Sequence, residues 1–244
     1  MSASPRQLLA GLLPNLRDCG GLGTEDGRVL RSRCLLRSAA LVGLPTATLT
    51  AFLDTVGTGT YFDLRTDAEI ERDGSPGALI DAGWRWERVS IDDGNSGGGS
   101  AADIARRSIA AIPKYLAAAE RVAASLGPRP VVVACAAGKD RTGMVTAITL
   151  HRLGIRRAQI LEDFTLSNSC LREGRALLPA RWQNPDHDIH PVDATVCAAV
   201  LDRLPATRAP RRRADISPLT FPAPLPGDSA ASPDATVAAA ARRR

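Results

Sequence analysis

The chain lacks any apolar run that could cross a membrane and any leader-like N-terminus. A membrane-spanning helix needs about 20 consecutive apolar residues, and no stretch of the 244-residue chain approaches that length. The first 13 residues carry one arginine and a short apolar patch without a small-residue cleavage site, so they do not predict a signal peptide. We therefore expect neither a membrane span nor a secretory leader.

Cysteines and histidines are also few. Five cysteines stand at irregular spacings, which argues against a disulfide framework and indicates a reducing compartment. Three histidines, without closely spaced cysteines, give no zinc-binding pattern. We therefore expect a cytoplasmic protein that needs neither a metal nor an organic cofactor.

The positive net charge gives little information about partners. The formal charge is +5, and residues 205–244 supply +4 of it through seven arginines and three aspartates. The remaining chain is nearly neutral, so we expect no nucleic-acid partner. The Pro/Ala-rich composition predicts that 205–244 is a disordered tail behind a domain formed by 1–204. An anionic partner for the arginine clusters of the tail, 211–213 and 242–244, is the alternative.

The most informative stretch runs from Val131 to Met144. Its first four residues are apolar and mostly β-branched, which predicts a buried strand. A short glycine-containing loop follows, and then an amphipathic helix over about 143–153. Loop N–H groups can converge on one centre, and the helix dipole adds partial positive charge there. This strand, loop and helix together predict an anion site.

Two side chains of this stretch add chemistry to the anion site. Cys135 stands where the loop and the helix would stabilise a thiolate, the nucleophilic form of cysteine. Arg141 offers a planar fork that holds two phosphate oxygens at once. The pair predicts thiolate attack on phosphorus, a phosphocysteine intermediate and its hydrolysis. The backbone N–H groups of Ala136, Ala137 and Gly138 would hold the phosphoryl oxygens.

A cysteine with an arginine six residues later is a weak motif by itself. The chain contains a second such pair, Cys197 and Arg203. That segment has no glycine and no preceding strand, and its pattern predicts a helix. The context therefore selects Cys135 and not Cys197 as the candidate nucleophile.

Residues 134–143, Ala-Cys-Ala-Ala-Gly-Lys-Asp-Arg-Thr-Gly, resemble the phosphate loop His-Cys-x-x-Gly-Lys-Asp-Arg-Thr-Gly of the bacterial atypical tyrosine/serine (dual-specificity-like) protein phosphatases. Three more segments resemble that family in the same order: Asn-Leu-Arg-Asp-Cys-Gly-Gly at 15–21, Phe-Asp-Leu-Arg-Thr-Asp-Ala-Glu at 62–69 and Ile-Leu-Glu-Asp-Phe-Thr-Leu-Ser-Asn at 160–168. The resemblance extends from residue 15 to about 204. It implies a protein-tyrosine-phosphatase-like α/β fold.

In such a fold, a mostly parallel sheet of four or five strands is covered by helices on both faces. The active site lies at the carboxyl end of the Val131 strand, where open α/β sheets place their ligands. The Asn-x-Arg-Asp segment at 15–18 braces this side of the sheet in the family, and a purely structural role for it is equally compatible with the sequence.

The residue before the nucleophile departs from the family pattern, because Ala134 stands where the family has histidine. In similar enzymes that histidine helps to orient the loop and to keep the thiolate stable. The loop N–H groups, the helix dipole and Arg141 remain, so we expect weakened and not abolished activity. The C-terminal helix with a Tyr-Leu pattern that the family has is also missing.

Two aspartates are candidates for the proton donor that the leaving oxygen needs. Asp140 lies inside the loop, and similar enzymes are thought to use this residue or an aspartate on a nearby loop. Asp92 follows a predicted strand over 84–91 and precedes a Gly/Ser-rich loop, a usual position for a general acid. The sequence does not separate Asp92 from Asp93, and a solvated turn is the alternative for both.

Two more loop side chains are expected to bind the substrate. Lys139 adds a second cation toward the ligand, which would favour phosphoinositides or acidic phosphopeptides; a solvent-facing lysine is the alternative. Thr142 can donate a hydrogen bond to the sulfur of Cys135 and stabilise it as the leaving group of the second step.

The rest of the chain is expected to form the scaffold. We predict an ion pair between Arg65 and Glu69. Strands are predicted within 29–37 and 60–64. Helices are predicted over 46–55, 101–125 with a kink or a break at Pro113, 156–168, 169–178 and 191–204.

The sequence therefore predicts a phosphatase that hydrolyses phosphate monoesters through a phosphocysteine. Phosphotyrosine is the expected substrate, with phosphoserine, phosphothreonine or a phosphoinositide as alternatives. A catalytically impaired phosphate-binding protein is a second hypothesis, because of Ala134 and the altered C-terminal part. A rhodanese-like sulfurtransferase is a remote third, since such loops do not usually carry the Gly-Lys-Asp-Arg-Thr-Gly run.

Overall fold

A five-stranded sheet forms the centre of the computed structural model, which describes residues 6–9, 11–94, 100–178, 190–205 and 219–220. The strands are β1 (Arg17–Asp18), β2 (Val29–Leu30), β3 (Leu35–Ala39), β4 (Thr60–Asp63), β5 (Arg85–Arg88), β6 (Val131–Cys135) and β7 (Leu219–Thr220). The sheet has the order β1-β3-β6-β4-β5, and only β1 runs antiparallel to its neighbour. The predicted mostly parallel sheet is confirmed.

Helices cover both faces of this sheet. They are α1 (Thr46–Val56), α2 (Asp67–Asp73), α3 (Gly77–Asp81), α4 (Ala101–Ala110), α5 (Ile112–Ser125), α6 (Asp140–Arg152), α7 (Arg157–Glu173) and α8 (Ala194–Leu201), with a 3₁₀ turn at Arg175–Leu177. Within the described ranges, no helix combines the length and the apolar character that crossing a bilayer requires.

The central strand β6 divides the core into two layers because its side chains alternate between the two faces. Val131 and Val133 pack in one apolar cluster with residues of α5, α6, α7 and α8. Val132 packs in a second cluster with Phe52 of α1 and with Trp84. Since both faces of β6 are covered, its end with the candidate nucleophile is held on both sides.

Of the kink and the break predicted as alternatives at Pro113, the structure has the break. Helix α4 ends at Ala110 and α5 begins at Ile112, so Pro113 lies in the first turn of α5. A proline is accommodated in that turn because the N–H it lacks would have no partner inside the helix.

Two predicted helix boundaries are wrong. The predicted helices over 156–168 and 169–178 form one helix, α7, because no glycine or proline interrupts the chain before Gly174, whose N–H donates to the Cys170 carbonyl at 2.9 Å. The helix after the phosphate loop begins at Asp140 and not at about Gly143, since the Gly143 N–H already donates to the Lys139 carbonyl at 3.0 Å.

Part of the predicted tail is ordered. Leu219 and Thr220 form β7, which pairs antiparallel with Val29 and Leu30 of β2, and Leu219 is buried. These two residues find their backbone partners in a distant strand, while the disorder predicted for 205–244 as a whole stays a prediction. The arginine clusters at 211–213 and 242–244 and most of the Gly/Ser-rich loop, 95–99, lie outside the described residues.

Removal of the Phe52 ring should strongly destabilise the fold. The ring is fully buried, and its centroid lies 5.4 Å from that of Trp84. We expect Phe52→Ala to lower the free energy of unfolding by about 3–5 kcal/mol because it leaves a cavity between α1 and the sheet. Ile80→Ala, at a residue that is 40% exposed, is the control and should cost less than about 1 kcal/mol. Urea unfolding measures both values, and an equal loss of unfolding free energy in Phe52→Ala and Ile80→Ala would contradict this prediction.

Candidate active site

The loop between β6 and α6 has its carbonyl groups fixed from outside. The Ala136 carbonyl accepts a hydrogen bond from the Ala40 N–H at 3.2 Å. Asn15 Nδ2 donates to the carbonyls of Ala137 at 3.1 Å and Gly138 at 2.9 Å. Arg37 Nη2 donates to the Gly138 carbonyl at 2.9 Å and approaches the next carbonyl at 3.3 Å.

These contacts determine where the loop N–H groups point. In a trans peptide the N–H points opposite to the carbonyl of the preceding residue. Carbonyls held outward at 136–139 therefore turn the N–H groups of 137–140 to the inner side of the loop. Within the described chain, none of the backbone N–H groups of 136–139 donates a hydrogen bond. Together with the amino end of α6, these N–H groups have the arrangement that an anion cradle requires, and the predicted anion site itself stays a prediction.

The cradle requires glycine at position 138. Gly138 has φ +67°, in the left-handed region. A Cβ added there would lie 2.2 Å from the carbonyl oxygen of Ser38 on β3, and that backbone oxygen is fixed in the sheet. No other residue can occupy this point without moving the loop.

A buried charge network holds the two groups that anchor the loop. Arg17 Nε and Arg37 Nη1 bind the two carboxylate oxygens of Asp163 at 3.2 and 2.8 Å. Both arginines also donate to Ser167 Oγ, at 2.9 and 3.2 Å, and Arg17 donates to the side-chain oxygen of Asn15. The sequence predicts the bracing role of the Asn15 segment but not that of Arg37, because nothing in the Arg37 segment marks a functional arginine.

This network carries more positive than negative charge. Burial alone would raise the pKa of Asp163, but the charges of Arg17 and Arg37 lower it below its ordinary value. The carboxylate is therefore ionised, and Arg6, which is 20% exposed, binds it as well at 2.9 Å. Three arginines share one carboxylate directly behind the loop. The excess positive charge favours an anion on the opposite side of the loop.

Arg141 is bound to Glu69, and this overturns the predicted pairing of Arg65 with Glu69. Nη1 and Nη2 of Arg141 bind Oε2 and Oε1 of Glu69 at 2.6 and 2.7 Å. Arg65 instead binds Asp63 at 2.6 Å, with both side chains buried. Glu69 points to Arg141 because it closes the capping box of α2 with Thr66, which fixes its side chain.

The pair orients the guanidinium of Arg141 before any ligand arrives. Nη1 also approaches the carbonyls of Leu64 and Ile91 at 3.4 and 3.3 Å. Within the described residues nothing accepts a hydrogen bond from Nε, so one edge of the fork stays available for phosphoryl oxygens. Burial would lower the pKa of Arg141, but the hydrogen bond with Glu69 and the charges of Cys135 and Asp93 raise it above its ordinary value.

Cys135 ends β6 and is 3% exposed at the base of the cradle. The preceding residue, Ala134, faces the other layer and packs in the apolar cluster that contains Leu36 and Tyr61. A histidine at this position would have to enter that apolar layer. The second cysteine of matching spacing, Cys197, lies in α8 as predicted, and burial raises the pKa of its thiol to about 12.

Lys139 and Thr142 are both buried beside the loop. Lys139 is 8% exposed and is not solvent-facing; its Nζ binds Asp140 Oδ1 at 2.8 Å, which neutralises much of its charge. The hydrogen bond expected from Thr142 to the departing sulfur of Cys135 stays a prediction. Thr142 Oγ1 is buried and has no hydrogen-bond partner among the described residues. Its hydroxyl is therefore available to a group that appears during a reaction.

The candidate proton donors have different surroundings. Asp140 is paired with Lys139, as described above. Asp92 is exposed, and its Oδ1 accepts the Gly94 N–H at 3.1 Å. Asp93 is half-buried, accepts the Tyr115 hydroxyl at 2.7 Å and is close enough to Arg141 to affect its pKa. Of the two residues after β5, Asp93 therefore faces the site and Asp92 faces solvent.

Comparison with known proteins gives a family for most of the chain. The model of a family described as the tyrosine phosphatase family matches residues 10–208. The triple specificity protein phosphatase PtpB of Mycobacterium tuberculosis is 46% identical over 48 residues, which are 20% of this chain and 17% of PtpB. The matched segment thus spans less than a fifth of that relative.

Solved structures of TpbA from P. aeruginosa are similar over most of the chain. One covers 82% of this chain and 99% of TpbA, with 17% identity and a TM-score of 0.40. A second structure is that of a TpbA variant in complex with phosphotyrosine. It covers 82% of this chain and 98% of the TpbA chain, with 17% identity and a TM-score of 0.41.

The Arg141–Glu69 pair should make stability depend on acidic pH. Burial would raise the pKa of Glu69, but the hydrogen bond and charge of Arg141 lower it from 4.5 to about 2. The pair therefore contributes fully above pH 4.5, and its contribution is lost as the pH falls toward 2. We expect Glu69→Gln, which preserves the capping box, to be less stable than wild type at pH 7, with a difference that narrows below pH 4.5.

Urea unfolding of both proteins between pH 7 and pH 2.5 measures this difference. Glu71→Gln, an exposed change on the same helix, is the control and should follow wild type throughout. A stability difference for Glu69→Gln that stays constant over this range would show that the charge of Glu69 does not hold Arg141.

Proposed function

This chain belongs to the tyrosine phosphatase family, and from that premise we propose that it hydrolyses phosphate monoesters through a phosphocysteine formed on Cys135. Phosphotyrosine is the proposed substrate. One observation carries the proposal: Asn15 and Arg37 hold the loop carbonyls outward, so the loop N–H groups face the space at the end of β6 where an anion would bind. A thiol at the base of that cradle lies where it can attack the bound phosphorus.

The proposed reaction has two steps. In the first, the thiolate sulfur of Cys135 forms a bond to phosphorus, the bond to the leaving oxygen breaks, and an aspartic acid gives that oxygen a proton. In the second, water attacks phosphorus, the same carboxylate takes its proton, and the sulfur leaves. The inward N–H groups and the free edge of Arg141 stabilise the phosphoryl charge in both steps. The unpartnered hydroxyl of Thr142 donates to the departing sulfur.

Phosphoserine and phosphothreonine are further proposed substrates, because a related protein carries the name triple specificity protein phosphatase. We also propose a cytoplasmic location. All five cysteines are free thiols, which agrees with a reducing compartment. A phosphate-binding protein without turnover is the second candidate, and the observation that favours it is the alanine before Cys135.

Turnover of p-nitrophenyl phosphate in the presence of EDTA tests the main proposal. We expect turnover by reduced wild-type protein and none by Cys135→Ser, because the serine hydroxyl stays protonated at neutral pH and an alkoxide is a far poorer leaving group than a thiolate. Arg141→Lys should lower kcat by about 10²–10³-fold through loss of the planar fork. The control Cys197→Ala alters the buried cysteine of matching spacing and should retain activity.

The outcome also separates the two candidate functions. Wild-type protein that is folded and reduced, binds inorganic phosphate and shows no turnover would overturn the enzyme proposal in favour of phosphate binding. Turnover that survives Cys135→Ser would contradict the phosphocysteine.

We propose Asp140 as the general acid, with the Asp92–Asp93 turn as the second candidate. Loss of the acid should matter most where the leaving group is poor. Asp140→Asn should lower kcat by about 10²–10⁴-fold with phenyl phosphate and much less with p-nitrophenyl phosphate. Asp92→Asn is the exposed control in the same assay, and Asp93→Asn tests the member of the turn that faces Arg141.

The dependence of the loss in kcat on the leaving group distinguishes proton transfer by Asp140 from a structural role of that residue. An Asp140→Asn enzyme that loses the same factor with both substrates would assign Asp140 to holding Lys139 and not to proton transfer. A leaving-group-dependent loss in Asp92→Asn or Asp93→Asn would move the role to that residue.

A further inference from the structure

An open cavity of about 420 Å³ lies beside the phosphate loop, between α4, α6, α7 and the segment that enters α8. This volume falls within the range of small-ligand sites. Its floor is apolar and buried, and its rim is exposed. The floor includes Met144, Phe164, Val192 and Val196, and the rim includes Ala101, His190 and Pro191.

The cavity adjoins the site through the first turn of α6. Asp140 and Met144, which are one turn apart on that helix, both line the cavity. The next residue, Arg141, is directed to Glu69 and does not line the cavity. A group in the cavity would therefore be a close neighbour of a phosphate in the cradle.

The charge of the cavity is opposite to that of the cradle. Two carboxylates, Asp140 and Asp193, line it, and no lysine or arginine does so in the part of the chain that the structure describes. Lys139 offsets the charge of Asp140 at 2.8 Å. Asp193 is exposed and caps α8 through Oδ1, which accepts from the N–H and hydroxyl of Thr195 at 2.7 Å. The rim keeps a net negative charge that repels a second phosphate and attracts a cation.

We propose that this cavity is a subsite for one side chain of a phosphoprotein substrate, a lysine or arginine adjacent to the phosphorylated residue. Such side chains bury their aliphatic stem against apolar groups and keep the charged end in water, which matches an apolar floor below a carboxylate rim. The inference rests on the proposed phosphatase function. It argues against inositol phospholipids with several phosphates, since Lys139 is already paired with Asp140.

Phosphotyrosine peptides of one frame, with Lys, Leu, Ala or Glu on either side of the phosphotyrosine, test the subsite. For at least one of the two positions next to the phosphotyrosine, we expect kcat/KM to decrease in the order Lys, Leu, Ala, Glu. At low salt, the Lys peptide should exceed the Glu peptide by roughly 10-fold in kcat/KM. Vesicles that contain a phosphatidylinositol bisphosphate should be turned over more slowly than the Lys peptide. Faster turnover of the vesicles, or equal values for the four peptides, would overturn the subsite.

Two variants locate the effect in the cavity. Ala101→Phe places a ring on the rim, whereas Ala102→Phe places the same ring on the next exposed position, which does not line the cavity. We expect only Ala101→Phe to lower kcat/KM for the Lys and Leu peptides by roughly 10-fold, while p-nitrophenyl phosphate is unaffected. Asp193→Asn keeps a capping side chain and should abolish the Lys preference but not that of Leu over Ala.

Binding measurements separate this inference from the proposed function. The Kd values of the four peptides for Cys135→Ser, measured by fluorescence anisotropy, should follow the same order even if the wild-type protein does not turn over aryl phosphate. Active protein with no order among the peptides, or with the same response to Ala101→Phe and Ala102→Phe, would overturn the subsite and leave the phosphatase proposal standing.

Discussion

The site depends on the hydrogen bonds that hold the carbonyl groups of the loop between β6 and α6 from its outer side. A loop of this length exposes donors and acceptors alike, and carbonyl oxygens facing inward would repel an anion. Asn15 and Arg37 bind those oxygens from behind, so only N–H groups face the cradle. The left-handed Gly138 lets the loop pass against β3. An anion cradle is thus made by side chains that need never touch the anion.

The arginines of this network are charged and buried, which is unfavourable unless they are paired. Asp163 and Ser167 supply partners for Arg17 and Arg37, the buried Nε of Arg37 has no acceptor among the described residues, and the arginines outnumber the carboxylate. The remaining positive charge lies behind the cradle, where it supports an anion in front. Position 134 does not contribute to this charge, because its side chain faces the apolar layer on the other side of β6.

The first turn of α6 carries one residue for each part of the proposed recognition. Glu69 presets the guanidinium of Arg141, which the proposed function assigns to phosphate. The preceding residue, Asp140, borders an apolar cavity whose rim carries the second carboxylate, Asp193. Opposite charges therefore lie on consecutive residues of one helix turn. In our proposal, this arrangement holds a phosphate and a neighbouring cation of one substrate side by side.

The sequence by itself determined the elements whose signals are local: the β6 strand, the glycine loop with Cys135, and the interruption of the helix at Pro113. Their periodicity and backbone preferences act over a few residues. Only the tertiary structure decided partners that are distant in the chain. Arg141 binds Glu69 across 72 residues, and Leu219 finds a strand partner in β2. Long charged side chains reach several neighbours equally well, so the packing of remote segments, and not spacing, selects which one they bind.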